Sequence, residues 1–282
     1  MTLGERIKNL RTANDMSQND LAMRINVSRQ AVTKWENGGG LPEIDNLIAL
    51  ADVFGISVDY LVRDDAAGFT SVVQYDVDRG KDFEMDLIAS KSLSIVGHDS
   101  EKLCIILSSD SIPALESDVK TYIEDKKRRI SVEMKRKNDL SDSDCREGLD
   151  IRIMLPRKFI ECVEVKADAN KLSMTGFTAE DVEFRGSVAV ATFSDFHGKA
   201  EMDIRSDCEF SIDGLDGSLE INQIERSSLV KVPKGLMFKA VNAGKKCEVV
   251  ISKELTPDKD CKNVIELNGS KSTLRIETDG EE

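Results

Sequence analysis

Arg29, Gln30, Thr33 and Lys34 place a guanidinium, an amide, a hydroxyl and an ammonium within one short stretch of chain. Wound as an α-helix at about 100° per residue, the stretch turns these four to one side and Ala31, Val32 and Trp35 to the other. The apolar side, Trp35 included, packs on a core. The polar side suits the edges of base pairs in a major groove: Arg for guanine, Gln for adenine, Lys for guanine or phosphate. The bland alternative is a solvated face on a unit that mediates protein contacts only.

Reading of this kind needs a helix held by its neighbours. Ser17 suits an N-cap, with Asp20 in the first turn behind it, so a helix is predicted from Gln18 to about Ile25. Asn26 and Val27 make a turn, Ser28 caps the next helix, and the three glycines Gly38, Gly39 and Gly40 end it. Before these, Leu3, Ile7 and Leu10 recur at helical spacing. After them, Ile44, Leu47, Leu50, Ala51 and Phe54 line a fourth helix between Pro42 and Gly55, and Val58 and Leu61 mark a short fifth.

The motif Ser17-Gln18-Asn19-Asp20-Leu21-Ala22, then Val27-Ser28-Arg29-Gln30-Ala31-Val32 and Lys34-Trp35-Glu36-Asn37-Gly38, resembles the phage-repressor/Cro-type (Xre-like) helix-turn-helix regulators. The likeness continues through Leu41-Pro42, residues 47–51 and residues 54–61, and stops near residue 63. The resemblance implies a five-helix DNA-binding domain. It implies that Gln18 touches a phosphate at its helix N-terminus, and that Ser28, Arg29, Gln30, Thr33 and Lys34 meet bases or backbone. It also implies that Arg11 and Glu36 form a buried ion pair.

The chain has 282 residues, enough for two domains, with 39 basic against 52 acidic side chains and a net charge of −13. Bulk charge excludes indiscriminate nucleic-acid binding, so a DNA surface must be local. Residues 1–34 carry six basic and three acidic groups, and residues 35–65 one basic and seven acidic, which puts the positive half on the reading helices. The N-terminal residues lack an apolar signal core, and no apolar run approaches the roughly 18 residues of a membrane span. A cytoplasmic protein with no membrane partner is expected. Its six cysteines include no C-x-x-C pair and read as reduced thiols.

Residues 64–68 break the helical pattern, and residues 64–84 read as a linker or extended arm, with residues 69–82 open to a first strand. From residue 85 to 282 the texture is that of strands: 93–96, 103–108, 119–123, 130–134 and 149–155, with residues 110–117 irregular. Apolar starts at Val163, Val182, Ala200, Leu219 and Met237 are spaced 19, 18, 19 and 18, and the first four are followed by Glu. Turn signals close several units, at residues 175–177, 196–198, 214–217 and 233–235. Such a period suits stacked coils. Residues 148–156 and these turns resemble the β-strand-repeat domains of bacterial adhesin type, which implies a β-solenoid-like fold and no known activity. The expected fold class is thus a two-domain chain, an all-α helix-turn-helix domain followed by an all-β domain. A β-sandwich is the alternative for the second.

Other chemistry is thin. Asp195 and His197 share a turn and His98 is the only other histidine, so an acid–base pair is conceivable but a surface histidine is the plainer reading. Residues 139–144 form an acidic run without the Gly and Glu of a calcium loop, and read as a solvated loop. Lys126, Lys127, Arg128, Arg129, Lys135, Arg136 and Lys137 form a basic cluster suited to flanking DNA or an anionic partner, or more plainly to a solvated turn and protected strand edge. No catalytic motif, metal site or cofactor is expected.

The expected function is a sequence-specific transcriptional regulator that binds double-stranded DNA and is not an enzyme. Its β domain would dimerise the chain or sense a small-molecule or protein signal. An assembly protein localised to DNA is the other reading. The helical unit has few apolar residues left over once its own core is filled, so homodimer pairing is expected from the β domain.

Overall fold

The structure is a computed structural model and describes residues 2–14, 16–54, 58–62, 69–137 and 139–279. It divides into two compact units, Met1–Phe69 and Thr70–Glu282.

The first unit holds five helices: α1 (Leu3–Ala13), α2 (Gln18–Arg24), α3 (Arg29–Glu36), α4 (Ile44–Phe54) and α5 (Val58–Val62). Thr2 and Ser17 open α1 and α2 with reciprocal capping boxes, using Glu5 and Asp20. Ser28 caps α3 by accepting from the Ala31 amide at 3.1 Å. Asn26 has φ +54° and makes the turn between α2 and α3. One core collects Ile7, Leu10, Leu21, Ile25, Val32, Trp35, Leu50, Phe54 and Leu61.

The second unit opens with β1 (Phe69–Asp76), β2 (Lys81–Asp86), β3 (Ser90–His98) and β4 (Lys102–Ser109). A short helix α6 (Leu115–Asp118) leads to the antiparallel hairpin β5 (Val119–Asp125) and β6 (Arg129–Arg136). Helix α7 (Asp142–Gly148) precedes β7 (Leu149–Pro156). Then come β8 (Ile160–Ile204), β9 (Glu209–Ile224), β10 (Ser227–Val232), β11 (Lys239–Asn242), β12 (Glu248–Ile251), β13 (Val264–Ser270) and β14 (Thr273–Thr278). The described strands form one mixed sheet, with the main order β1-β4-β7-β3-β8-β9-β10-β14-β12. Of the two readings for residues 69–82, an extended arm or a first strand, the structure shows strand at 69–76 and again from Lys81. The linker residues 64–68 lie outside the described residues.

Most pairing is parallel. β8 and β9 run side by side in register from Val190↔Glu209 to Asp203↔Asn222, an offset of 19 residues. β8 contains 45 residues, and a straight strand of that length would reach roughly 150 Å. Instead it turns at Gly176, Asp195 and Gly198, all with positive φ. Its later part returns beside its earlier part, and the Arg205 amide donates to the Gly186 carbonyl at 2.9 Å.

The registers stack like on like. Phe83 faces Val163, Ala200 faces Leu219, and Leu219 faces Ile265, all buried. On the outer face Glu84 meets Glu164, Glu201 meets Glu220, and Glu220 meets Glu266. Stacked carboxylates repel, and cations offset this. Lys199 reaches Glu201 at 3.3 Å and Glu220 at 3.2 Å, and Arg129 reaches Glu84 at 2.9 Å. Phe177, Phe193 and Phe196 meet edge to face at 5.6–5.7 Å between centroids.

Three expectations need correction. Met237 does not start the next pass after Leu219. It lies outside the strands and is 53% exposed, because β13 inserts beside β9 instead. The acidic run at residues 139–144 is not simply a loop, since Ser141 and Asp144 form the capping box of α7. Within residues 110–117, Leu115 begins α6.

Close stacking restricts the corners. Gly217 has φ +148°, and a Cβ there would lie 1.8 Å from the Gly198 carbonyl oxygen. Gly217→Ala combines a disfavoured backbone region, costing about 1–3 kcal/mol, with a backbone clash. A lowered melting temperature of the full chain is the expected result, read by circular dichroism of its β signal.

Candidate nucleic-acid interface

Glu36 is the hub of the helical unit. Its side chain is 2% exposed, and Arg11 Nε and Nη2 donate to its two oxygens at 2.5 and 3.0 Å. Arg11 Nη1 also donates to the Met16 carbonyl at 2.7 Å. One guanidinium therefore ties α1 to the end of α3 and to the segment entering α2. Burial pushes the Glu36 carboxyl up, but hydrogen bonds from Arg11 and Gln18 and the charge of Arg11 outweigh it, so the net shift is downward. Gly4 completes the contact: a Cβ there would lie 2.2 Å from the Trp35 carbonyl oxygen, so α1 rests directly on α3 backbone.

Gln18 extends the network outward. Its Nε2 donates to Glu36 at 2.9 Å, and its Oε1 accepts from the Thr33 hydroxyl at 2.9 Å. Thr33 donates also to the Arg29 carbonyl at 3.0 Å. The structure thus brings Arg11, Glu36, Gln18 and Thr33 into one chain of hydrogen bonds. Gln18 keeps one amide proton for an outside acceptor.

Arg29 and Gln30 are exposed in the first turn of α3, and their side chains make no hydrogen bond among the described residues. Ser28, just before them, is engaged as the cap. Lys34 is exposed, but its stem folds over Gly39 and Gly40: a Cβ on Gly40 would lie 2.8 Å from Lys34 Cε. The outer polar face of α3 therefore has Arg29 and Gln30 at one end and Lys34 at the other, with Thr33 held between them.

Two features went unread in the sequence. One is the inward engagement of Gln18 and Thr33, for which only their spacing across the turn was a signal. The other is apolar surface. Leu41, Ile44 and Ile48 are 79%, 65% and 46% exposed, so the helical unit does have apolar residues left over.

The other candidates are absorbed by structure. His197 lies 3.3 Å from both Asp195 and Asp216 on the surface. His98 Nε2 sits 2.7 Å from the Lys102 carbonyl, and burial lowers its pKa. Lys126, Arg128, Arg129, Lys135 and Arg136 of the basic cluster each meet a carboxylate. No metal-binding group occurs among the described residues, and no helix there is long and apolar enough to cross a membrane. Burial pushes the thiols of Cys145 and Cys208 up to about 11 and about 12, which makes them poor nucleophiles.

This geometry defines a helix-turn-helix DNA-binding domain. The helix-turn-helix family model matches residues 7–61. The immunity repressor protein of Bacillus phage phi105 is 31% identical over 104 residues, which cover 34% of this chain and 72% of that protein. The chain belongs to the helix-turn-helix family of phage-repressor type. The HTH-type transcriptional activator BcrR of Enterococcus faecalis is 36% identical over 62 residues, 22% of this chain and 30% of that protein, so the match spans under a third of its length. The β unit resembles in structure a candidate cell adhesion protein of Clostridium sporogenes, at 14% identity and a TM-score of 0.36, over 75% of this chain and 100% of that one.

Removing either partner of a buried ion pair costs about 3–5 kcal/mol. Arg11→Ala or Glu36→Ala should therefore collapse the Trp35 fluorescence transition of the full chain to low denaturant. The Glu36 contribution is complete above the ordinary carboxylate range and is lost as pH falls through its lowered folded value. Glu36→Gln should abolish that acid-side loss, and an unchanged acid profile would contradict the assignment.

Proposed function

We propose that the chain is a sequence-specific DNA-binding transcriptional regulator in which Arg29 and Gln30 read base edges. The observation that carries this is the pair of uncommitted side chains on a helix whose inner face is locked by the Glu36 network. Lys34 supplies charge at the far end of α3. Gln18 offers its remaining amide proton to a phosphate, with Ser28 and Thr33 holding the helix that presents the readers. One relative is named an activator and another a repressor, so the family leaves the sign of regulation open.

The β unit is read as a solenoid of coils about 19 residues long. The parallel 19-residue register of β8 and β9 and the buried columns support this over a sandwich. Its role is to carry the signal to which the regulator responds.

One small reader covers too few base pairs for selectivity, and such units work as pairs with half-sites roughly 34–36 Å apart. Pairing through the β domain rests on the premise that the helical unit has little spare apolar surface. Ile44 and Ile48, one turn apart on α4, and Leu41 just before the helix are all exposed, which removes that premise and favours pairing through the helical unit.

Two outcomes follow. Arg29→Ala and Gln30→Ala should each cost about 1–3 kcal/mol on the preferred site and relax one or two base positions, whereas Gln18→Ala weakens all sequences alike. Selection and binding titrations with the variants measure this, and identical base preferences would overturn it. The double variant Ile44→Glu, Ile48→Glu should turn a full-chain dimer into a monomer in sedimentation velocity. A dimer that persists would return pairing to the β unit.

A further inference from the structure

We propose that the β unit binds a small anion with an aliphatic body, in a groove walled by Lys166, Arg185, Arg205 and Arg226. The groove has a volume of about 820 Å³, within the usual range for small-molecule sites. Its four cations come from successive passes of the chain, in a protein whose net charge is −13.

Three of these cations are answered by carboxylates. Lys166 meets Asp86 at 3.4 Å, Arg185 meets Asp203 at 3.1 Å and also Glu183, and Arg205 meets Asp168 at 2.9 Å. Arg226 differs. Its Nε donates to the Arg205 carbonyl at 3.0 Å, and no carboxylate pairs with it among the described residues. Its two Nη nitrogens remain for a guest, in the planar fork that suits a carboxylate.

Beside it stands carbon. Ile224, two residues before Arg226, lines the same groove and is 68% exposed. Ile204, itself buried, also lines the groove, and the methylene stems of the cations add apolar surface around charged tips. An inorganic anion would use Arg226 and leave Ile224 wet. A neutral hydrocarbon would cover Ile224 and leave Arg226 unanswered, and a cation would be repelled. An anionic head on a short aliphatic chain satisfies both. The DNA reading is not needed for this site. If the β unit carries the signal, this groove is where it enters.

Calorimetric titration of the full chain with sodium octanoate tests the site, with sodium phosphate as head alone and octanol as tail alone. Octanoate should saturate at one per chain, with phosphate and octanol at least tenfold weaker. Arg226→Ala and Ile224→Ser should each weaken octanoate at least tenfold, with Arg226→Lys in between. Both side chains are exposed, and unchanged circular dichroism would show that the variants fold. Failure of octanoate to saturate, or unchanged binding by both variants, would overturn the proposal. Co-sedimentation with phosphatidylglycerol vesicles without octanoate saturation would overturn it too, by assigning the groove to a membrane headgroup.

Discussion

A buried carboxylate is the constraint on which the outer face of α3 depends. Glu36 sits where α1, α2 and α3 meet, and it is tolerable there because Arg11 answers its charge through two hydrogen bonds. Once placed, it orients Gln18, and Gln18 orients Thr33. The angle of α3 to its neighbours is thus set by donors and acceptors as well as by the apolar contacts of Val32 and Trp35. Directional contacts of this kind give a rigid frame for the exposed side chains of α3, Arg29 and Gln30 among them.

The β unit meets a different constraint, the close approach of one pass of backbone to the next. Parallel passes must repeat the same inward and outward choices, because a slip of one residue would turn the buried column outward. The buried run from Phe83 to Val163, and from Ala200 through Leu219 to Ile265, obeys this. The outer glutamates follow the same registry, and Lys199, Arg129 and amide side chains such as Asn222 keep them compatible.

The helical unit was legible because its signals are local. Ser17, Asp20 and Ser28 act within one turn of where they stand, and apolar spacing places Ile7, Val32 and Leu50 inside. The 19-residue step from Ala200 to Leu219 was legible for the same reason: that pass follows directly on the one before it. Met237 fell out of phase because β13, from much later in the chain, occupies the place beside β9. Counting residues along the chain cannot register an insertion from elsewhere. Ser141 and Asp144 did carry a capping signal, which the surrounding acidic run obscured. The partners of Gln18 were hidden because hydrogen bonds across a turn depend on orientation, which residue types alone do not convey.

Selection of preferred sites from a random DNA pool by the full chain, followed by binding across a salt series, tests the central claim most directly. An enriched inverted repeat is expected, bound at least about a thousandfold more tightly than random sequence, with affinity falling steeply as salt rises. A pool that yields no common sequence, with equal affinity for selected and random DNA, would contradict it.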